Sequence, residues 1–280
     1  MSTKSTDLGD RCKQLEELSP ANTLLLPRIP IVARLDGKAF HTFTKGLEKP
    51  FCKELHELMV LVTKQLVADS NATIGYTQSD EITLVWDATA TNSQIVFNGK
   101  VAKLLTVLTS ICTAHFNANL PKFLPKKKGP ALFDCRIWNV PTRRDALDVL
   151  VWREADASKN SISMAAQAQF SHKQCQNKNG SELQEMLFQE KGINWSEYPA
   201  CFKRGTYVRR KDVELAFSSA ELEKLPAKHE ARKNPKLKVL RSILEELNPP
   251  ALPKITNLED FVFSGSDPIM ASPLKTRVSK

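Results

Sequence analysis

At 280 residues, with 41% hydrophobic and 25% charged side chains, the chain is long enough to bury a sizeable core and has the composition of an ordinary soluble globular protein. Its 40 Lys and Arg outnumber 31 Asp and Glu, a formal charge of +9, which favours a polyanionic partner, most simply a nucleic acid. No apolar run approaches a membrane span, the start MSTKSTDLGDRCKQLEE lacks the apolar core of a secretory signal, and Cys12, Cys52, Cys112, Cys135, Cys175 and Cys201 show neither a C-x-x-C pair nor zinc-ligand spacing, so a cytoplasmic protein with reduced thiols is expected.

In chain order, a short helix is expected from Asp7 to Leu18, closed by Ser19-Pro20, and residues 22–27 lead into a first strand. That strand is the apolar run Ile29-Pro30-Ile31-Val32-Ala33; Arg34 and Leu35 follow, and Asp36-Gly37 stops it with a turn signal, leaving a carboxylate where a buried strand ends. Residues 50–68 place Leu55, Leu58, Met59, Val62, Leu66 and Val67 at helical spacing, with Pro50 suited to the first turn. Two β-rich runs, Thr73 to Thr77 and Ile82 to Trp86, flank Asp80-Glu81 and predict a hairpin with the acids near its bend. A second helix is expected over 93–116, then an exposed basic loop over 121–130 carrying Lys126, Lys127 and Lys128, then a strand over 131–140. The loop's charges fit simple solvation; contact with a phosphate backbone is the other reading.

The order β-α-β-β-α-β is the split βαβ, or ferredoxin-like, arrangement, an α+β fold with an antiparallel sheet backed by helices. In that topology the first strand can neighbour the hairpin, so Asp36 and Asp80 can share one small space. Two such carboxylates repel and raise a pKa unless a cation lies between them, and a hard divalent ion is the usual solution, pointing to a magnesium site for phosphates. A plain turn at Asp36-Gly37 and a hairpin cap at Asp80 fit the spacing as well.

From Thr142 a helical pattern runs to about Lys173, with Arg143, Arg144, Arg153, Lys159, His172 and Lys173 along it. A loop at 177–181 and a helix from Ser181 to Gly192 follow, then a basic strand pair over Phe202–Val213 turning at Arg204-Gly205. Residues 226–241 are strongly basic and broken by Pro235, a short helix is expected from Lys238 to Leu247, and SDPIMASPLKTRVSK suggests a loosely held tail. This divides the chain into a catalytic domain (1–140), a helical and hairpin region packed on it (141–216) and a basic, partly disordered extension (217–280).

RLDGKAFHTFTKGLEKP and YTQSDEITLVW resemble the paired catalytic motifs of the tRNA-His guanylyltransferase family, including its bacterial and archaeal guanylyltransferase-like enzymes. FDCRIWNVPT, DALDVLVWREADASKNSISMAAQ, MLFQEKGINW and FKRGTYVRR follow in the family's order, so the resemblance covers roughly residues 28–213. It implies a palm like that of conventional polymerases, using two magnesium ions to add nucleotides in the 3′-to-5′ direction to a tRNA 5′ end activated by ATP or GTP. Carried onto this chain, Asp36 and Asp80 bridge the metals and the Gly37 carbonyl is a further ligand. Lys38, Ala39, Phe40 and His41 lie against the triphosphate and Ser79 hydrogen-bonds a phosphate. Glu81 supports the acids, Arg34 braces them or touches the nucleotide, and Lys49, Lys100 and Lys103 take a second triphosphate.

One departure is informative. The eukaryotic His-Ile-Asn-Asn-Leu-Tyr-Asn element is replaced by Ser158-Lys159-Asn160-Ser161-Ile162-Ser163-Met164, in which only the asparagine at 160 is kept among the polar positions that matter. That favours template-dependent repair of truncated tRNA 5′ ends over dedicated addition of a guanosine to tRNA-His. Lys159, Asn160, Lys173, Arg204, Arg209 and Arg210 are the expected tRNA seat, as phosphate contacts that position without reading sequence. A homotetramer is expected. A palm-type nucleotide cyclase and a non-catalytic RNA-binding module are the competing readings.

Overall fold

Alternation of apolar and polar residues in the strands, and their recurrence every three to four residues in the helices, shapes a computed structural model that describes residues 4–19, 22–91, 93–234 and 236–271. Helix α1 (Lys4–Glu17) precedes β1 (Ile31–Gly37), the single turn α2 (Phe40–Phe43), α3 (Lys53–Ser70), the hairpin β2 (Ile74–Gln78) and β3 (Glu81–Trp86), α4 (Val101–Phe123) and β4 (Phe133–Asn139). Then come α5 (Arg143–Gln169), α6 (His172–Cys175), α7 (Gly180–Lys191), α8 (Ala200–Arg204), β5 (Thr206–Ala216), α9 (Ser219–Lys224), α10 (Glu230–Lys233), β6 (Lys238–Leu247) and α11 (Leu258–Phe263). The expected β-α-β-β-α-β unit is present, and β5 and β6 extend it into one antiparallel sheet of order β4-β1-β3-β2-β5-β6.

Because strand side chains alternate between faces, β1 serves two cores. Ala33 and Leu35 join Ile82 and Leu84 against α3 and α4, where Leu58, Met59, Leu66, Leu108 and Phe116 are buried. Val32 faces the other way, with Ile74, Tyr76, Val85 and Tyr207, toward Ala146, Leu147 and Leu150 of α5. Parity therefore turns Arg34 and Asp36 to the α5 side. Helix α5 is fixed at its start by a capping box in which Thr142 and Asp145 each bond the other's backbone N–H, at 3.1 and 2.9 Å.

Several boundaries differ from the sequence expectation. Helix α4 begins at Val101 instead of 93, since residues 96–99 form a 3₁₀ turn with Phe97 and Asn98 at positive φ, and it runs through Pro121 to Phe123. Pro50 lies before α3, whose N-cap is Cys52. In the basic loop Lys127 turns inward and donates to the carbonyls of Phe43 and Lys45, holding the end of α2. The expected strand pair at 202–213 is a helical turn, α8, followed by a single strand. Gly205, at φ 77°, makes the corner where a Cβ would stand 2.5 Å from the Thr77 carbonyl oxygen.

The largest difference is at Lys238–Leu247, expected as a helix and found as β6. Its leucines and glutamates favour a helix weakly, but the open edge of β5 pairs with all of it, from Lys238 opposite Ala216 to Leu247 opposite Tyr207, and long-range pairing outweighs local propensity. Beyond it the chain turns back under α5, burying Leu252, Ile255, Leu258, Phe261 and Val262. Two buried ionic side chains tie this segment down. Glu154, 3% exposed, accepts from Tyr207 Oη at 3.0 Å and from the Leu252 N–H at 2.9 Å. Arg209, 1% exposed, donates to Glu245 at 2.9 Å and to the carbonyls of Phe261 and Ser266 at 2.8 and 2.9 Å. Up to Ala271 the expected loose tail is held by bonds such as Ile269 N–H to Asn257 Oδ1 at 2.8 Å; its remainder, 272–280, and the predicted breaks at Pro20 and Pro235 lie outside the described residues.

Candidate active site at the acid end of the sheet

Three carboxylates line up across the sheet where β1 ends. Asp36 is the cross-strand partner of Glu81 on β3 and of Asp134 on β4, and directly opposed residues project to the same face. Asp80 joins them from the two-residue turn Ser79-Asp80 that closes the β2–β3 hairpin. Ser79 occupies that turn at φ 56°, a left-handed conformation glycine adopts freely and which costs other residues about 1–3 kcal/mol.

The acids differ in what neutralises them. Glu81 is gripped by Arg153 of α5, Nε to Oε1 at 2.6 Å and Nη2 to Oε2 at 2.7 Å. Asp134, exposed, has Arg136 within 4.0 Å. Among the described residues, neither Asp36 nor Asp80 has an ion-pair partner; Asp80 accepts only from the Ser79 hydroxyl, at 3.1 Å, and from its own N–H. Burial pushes the Asp80 pKa above the usual carboxylate value and the charge on Asp36 adds to it. Burial also raises Glu81, against the pull of Arg153 and then Arg34.

Two carboxylates close enough for one charge to act on the other, without an ion-pair partner among the described residues, suit a hard divalent ion. Among the described residues no group of three or more His, Cys, Asp or Glu side chains is arranged to hold a metal. An ion here would therefore use Asp36, Asp80, a backbone oxygen such as that of Gly37 and oxygens of a substrate, the mixed set magnesium takes in phosphate chemistry. Gly37 admits no side chain, since a Cβ would fall 2.2 Å from the Phe40 ring.

The loop after Gly37 is only partly free for a nucleotide. The Lys38 N–H is bonded to the Leu132 carbonyl at 2.8 Å. The Phe40 ring, 3% exposed, packs against Phe43, Phe116 and Phe133 in the core, so its side chain supports the loop from beneath. Lys38, Ala39, His41 and Lys49 are exposed. Beside Ser79 a cleft is lined by Phe51, Cys52, His56, Gln78 and Phe202 among others, and burial lowers the pKa of His56. Two phenyl rings and a few polar atoms suit a flat heterocycle. A second cleft, near Trp86 and Leu104, lies at the opposite end of β1, beside Ile31.

Other predicted residues are not brought to the acids. Lys100 bridges to Leu24 at the start of α4 and Lys103 stacks on Phe97, whereas α4 meets the Asp36 end through Phe116, roughly 20 Å along its axis at 1.5 Å per residue. Arg209 is buried, and Arg210 donates to the Val67 and Ala68 carbonyls near the end of α3; neither offers its guanidinium to an RNA surface. Arg204 is half-buried beside Tyr76, whose hydroxyl bonds its carbonyl. Lys159, Asn160 and Lys173 are exposed on α5 and α6. Arg153 and Asp134 were missed as site residues, because the register that faces Glu81 and Asp36 toward them is absent from local patterning.

Asp80→Asn is expected to raise the stability of the metal-free protein at neutral pH by about 1 kcal/mol, as removal of a functional strain often does. A carboxylate whose folded pKa is raised costs stability above that value, and the cost fades as pH falls through it. The gain in urea midpoint should therefore shrink on acidification, and an unchanged midpoint at neutral pH would contradict the picture.

The sequence model described as tRNAHis guanylyltransferase matches residues 9–141. The tRNA(His) guanylyltransferase of Saccharomyces cerevisiae is 32% identical over 206 residues, 67% of this chain and 85% of the yeast protein. A bacterial tRNA(His) guanylyltransferase-like protein in complex with ATP superposes with a TM-score of 0.73 at 33% identity, over 91% of this chain and 99% of that one. A bacterial tRNA(His) guanylyltransferase-like protein in complex with GTP superposes with a TM-score of 0.66 at 30% identity, over 89% and 94%.

Proposed function

The chain belongs to the tRNAHis guanylyltransferase family of nucleotidyltransferases, and from that premise we propose that it extends tRNA in the 3′-to-5′ direction, repairing shortened 5′ ends against the opposite strand as template. The observation that carries this reading is the pair Asp36 and Asp80, brought within electrostatic reach from β1 and the hairpin turn beside an exposed serine and, among the described residues, without an ion-pair partner. Asp36, Asp80 and the Gly37 carbonyl would hold magnesium ions, which supply the charge that in-line displacement at phosphorus needs on the attacking and leaving oxygens. Ser79 offers its hydroxyl to a phosphate, Lys38, His41 and Lys49 meet the rest of the triphosphate, and the base lies against the cleft wall formed by Phe51 and Phe202, whose rings touch one another at a centroid distance of 5.2 Å. ATP or GTP serves to activate the 5′ end, in keeping with the nucleotides named in the two bacterial relatives. Lys159, Asn160 and Lys173 are the parts of the predicted tRNA seat whose exposure supports that role.

Assembly as a homotetramer in the cytoplasm belongs to this reading. Repair is favoured over dedicated guanosine addition because Ser158 and Met164 stand where the eukaryotic element has histidine and asparagine. The test is incubation with tRNAs lacking one or more 5′ nucleotides and labelled triphosphates. Addition that restores pairing with each opposite base is the expected result. Addition of guanosine alone to full-length tRNA-His would replace repair by the dedicated activity, and a cyclic product formed without RNA would replace both.

A further inference from the structure

We propose that Arg153 is a positioning residue of this site, whose fork on Glu81 keeps a third carboxylate from joining Asp36 and Asp80 around the metal. The inference rests on the reading of those two acids as metal ligands. Glu81 is the cross-strand partner of Asp36 and precedes the rest of β3 immediately after Asp80, so by chain position it is the acid best able to reach the same ion. Its two oxygens are instead both taken by one guanidinium, at 2.6 and 2.7 Å, and two parallel charge-assisted bonds are the strongest form such a pair adopts. The pair is shielded, with the side chains of Arg153 and Glu81 only 12% and 17% exposed, so water screens it weakly.

Arg153 is itself fixed from two further sides. Asp156, one turn along α5, reaches it at 3.2 Å, and its guanidinium lies 4.6 Å from the ring centroid of Trp152. The same ring draws Arg34, which shares the face of Asp36, to 5.7 Å. One exposed tryptophan thus holds two arginines on the α5 side, one closed on Glu81 and the other unpaired with Asp36. The pair of free acids is a result of this arrangement. Asp134, the other cross-strand partner of Asp36, is exposed beside Arg136, and no three acidic side chains are arranged to hold a metal among the described residues; with Glu81 neutralised, Asp36 and Asp80 leave coordination positions to the triphosphate, whereas Glu81 released would add a carboxylate, bind the ion more tightly and occupy a position the nucleotide needs.

The discriminating measurement is metal affinity without nucleotide, with Mn²⁺ followed by electron paramagnetic resonance and Mg²⁺ by calorimetry. Arg153→Gln is expected to bind Mn²⁺ about tenfold more tightly than wild type, as an added ligand charge does, while nucleotide addition falls. Arg153→Gln/Glu81→Gln should return to within about twofold of wild type, since a merely structural loss would not be reversed by a second substitution. Folded Arg153→Gln with unchanged or weaker Mn²⁺ affinity would overturn the proposal. If that variant does not fold, Arg153→Lys, which keeps the charge and loses the fork, is read by the same rule. Asp36→Ala separates the two levels: Mn²⁺ binding that survives it overturns the site and the clamp together, whereas binding lost in Asp36→Ala but unaltered in Arg153→Gln overturns the clamp alone.

Discussion

Asp36→Ala and Asp80→Ala are each expected to yield a folded protein whose nucleotide addition to a 5′-shortened tRNA falls at least about a thousandfold, because under the proposed role of these acids as magnesium ligands neither pole of the displacement can be neutralised once one is gone. The fold should survive. Asp36 is half-buried at the end of β1 and makes no ion pair among the described residues, and Asp80 lies in a turn where its charge is disfavoured by burial. A melting profile within a few degrees of wild type, read beside labelled-triphosphate incorporation, distinguishes loss of chemistry from loss of structure. Either variant retaining wild-type incorporation would end the assignment of these acids. Glu81→Gln is a useful companion, since it removes the charge that Arg153 closes on but not the two free acids.

The second large effect is on stability and comes from a residue expected on the surface. Arg209→Ala is expected to cost about 3–5 kcal/mol, the usual consequence of deleting one member of a buried ionic network. Three partners are left behind: Glu245 and the carbonyls of Phe261 and Ser266. Two of these hold α11 and the turn after it against the sheet, so limited proteolysis should cut within residues 252–271 before the rest of the chain. Arg209→Lys keeps the charge but cannot serve three acceptors in the same geometry, and should recover only part of the loss. Urea midpoints settle the matter, and an Arg209→Ala protein as stable as wild type would mean that the network contributes nothing.

Sequence reading succeeded where a single strand or helix carries its own signal. The apolar run before Asp36 and the β-rich runs around Asp80 identify β1, β2 and β3, and their order gives the ferredoxin-like pairing that brings the two acids together. It failed where the deciding partner is remote. Lys238–Leu247 has no feature announcing the free edge of β5. Nothing local reveals that Arg209 projects beneath Phe261, or that Arg153 and Glu81, 72 positions apart, share a fork. In each case sheet register, a property of the assembled molecule, decides what a basic residue does.

The sheet has one more implication. Strand β5 leaves α8 at Gly205, pairs with β2 beside the turn that carries Ser79 and Asp80, and is locked through Arg209 and Tyr207 to the segment beyond Leu247. A stop codon after residue 247 would therefore do more than shorten an appendage. It would remove the counterweight under α5, the helix from which Arg153 reaches Glu81, and disturbance introduced at the carboxyl-terminal end would be felt at Asp36 and Asp80.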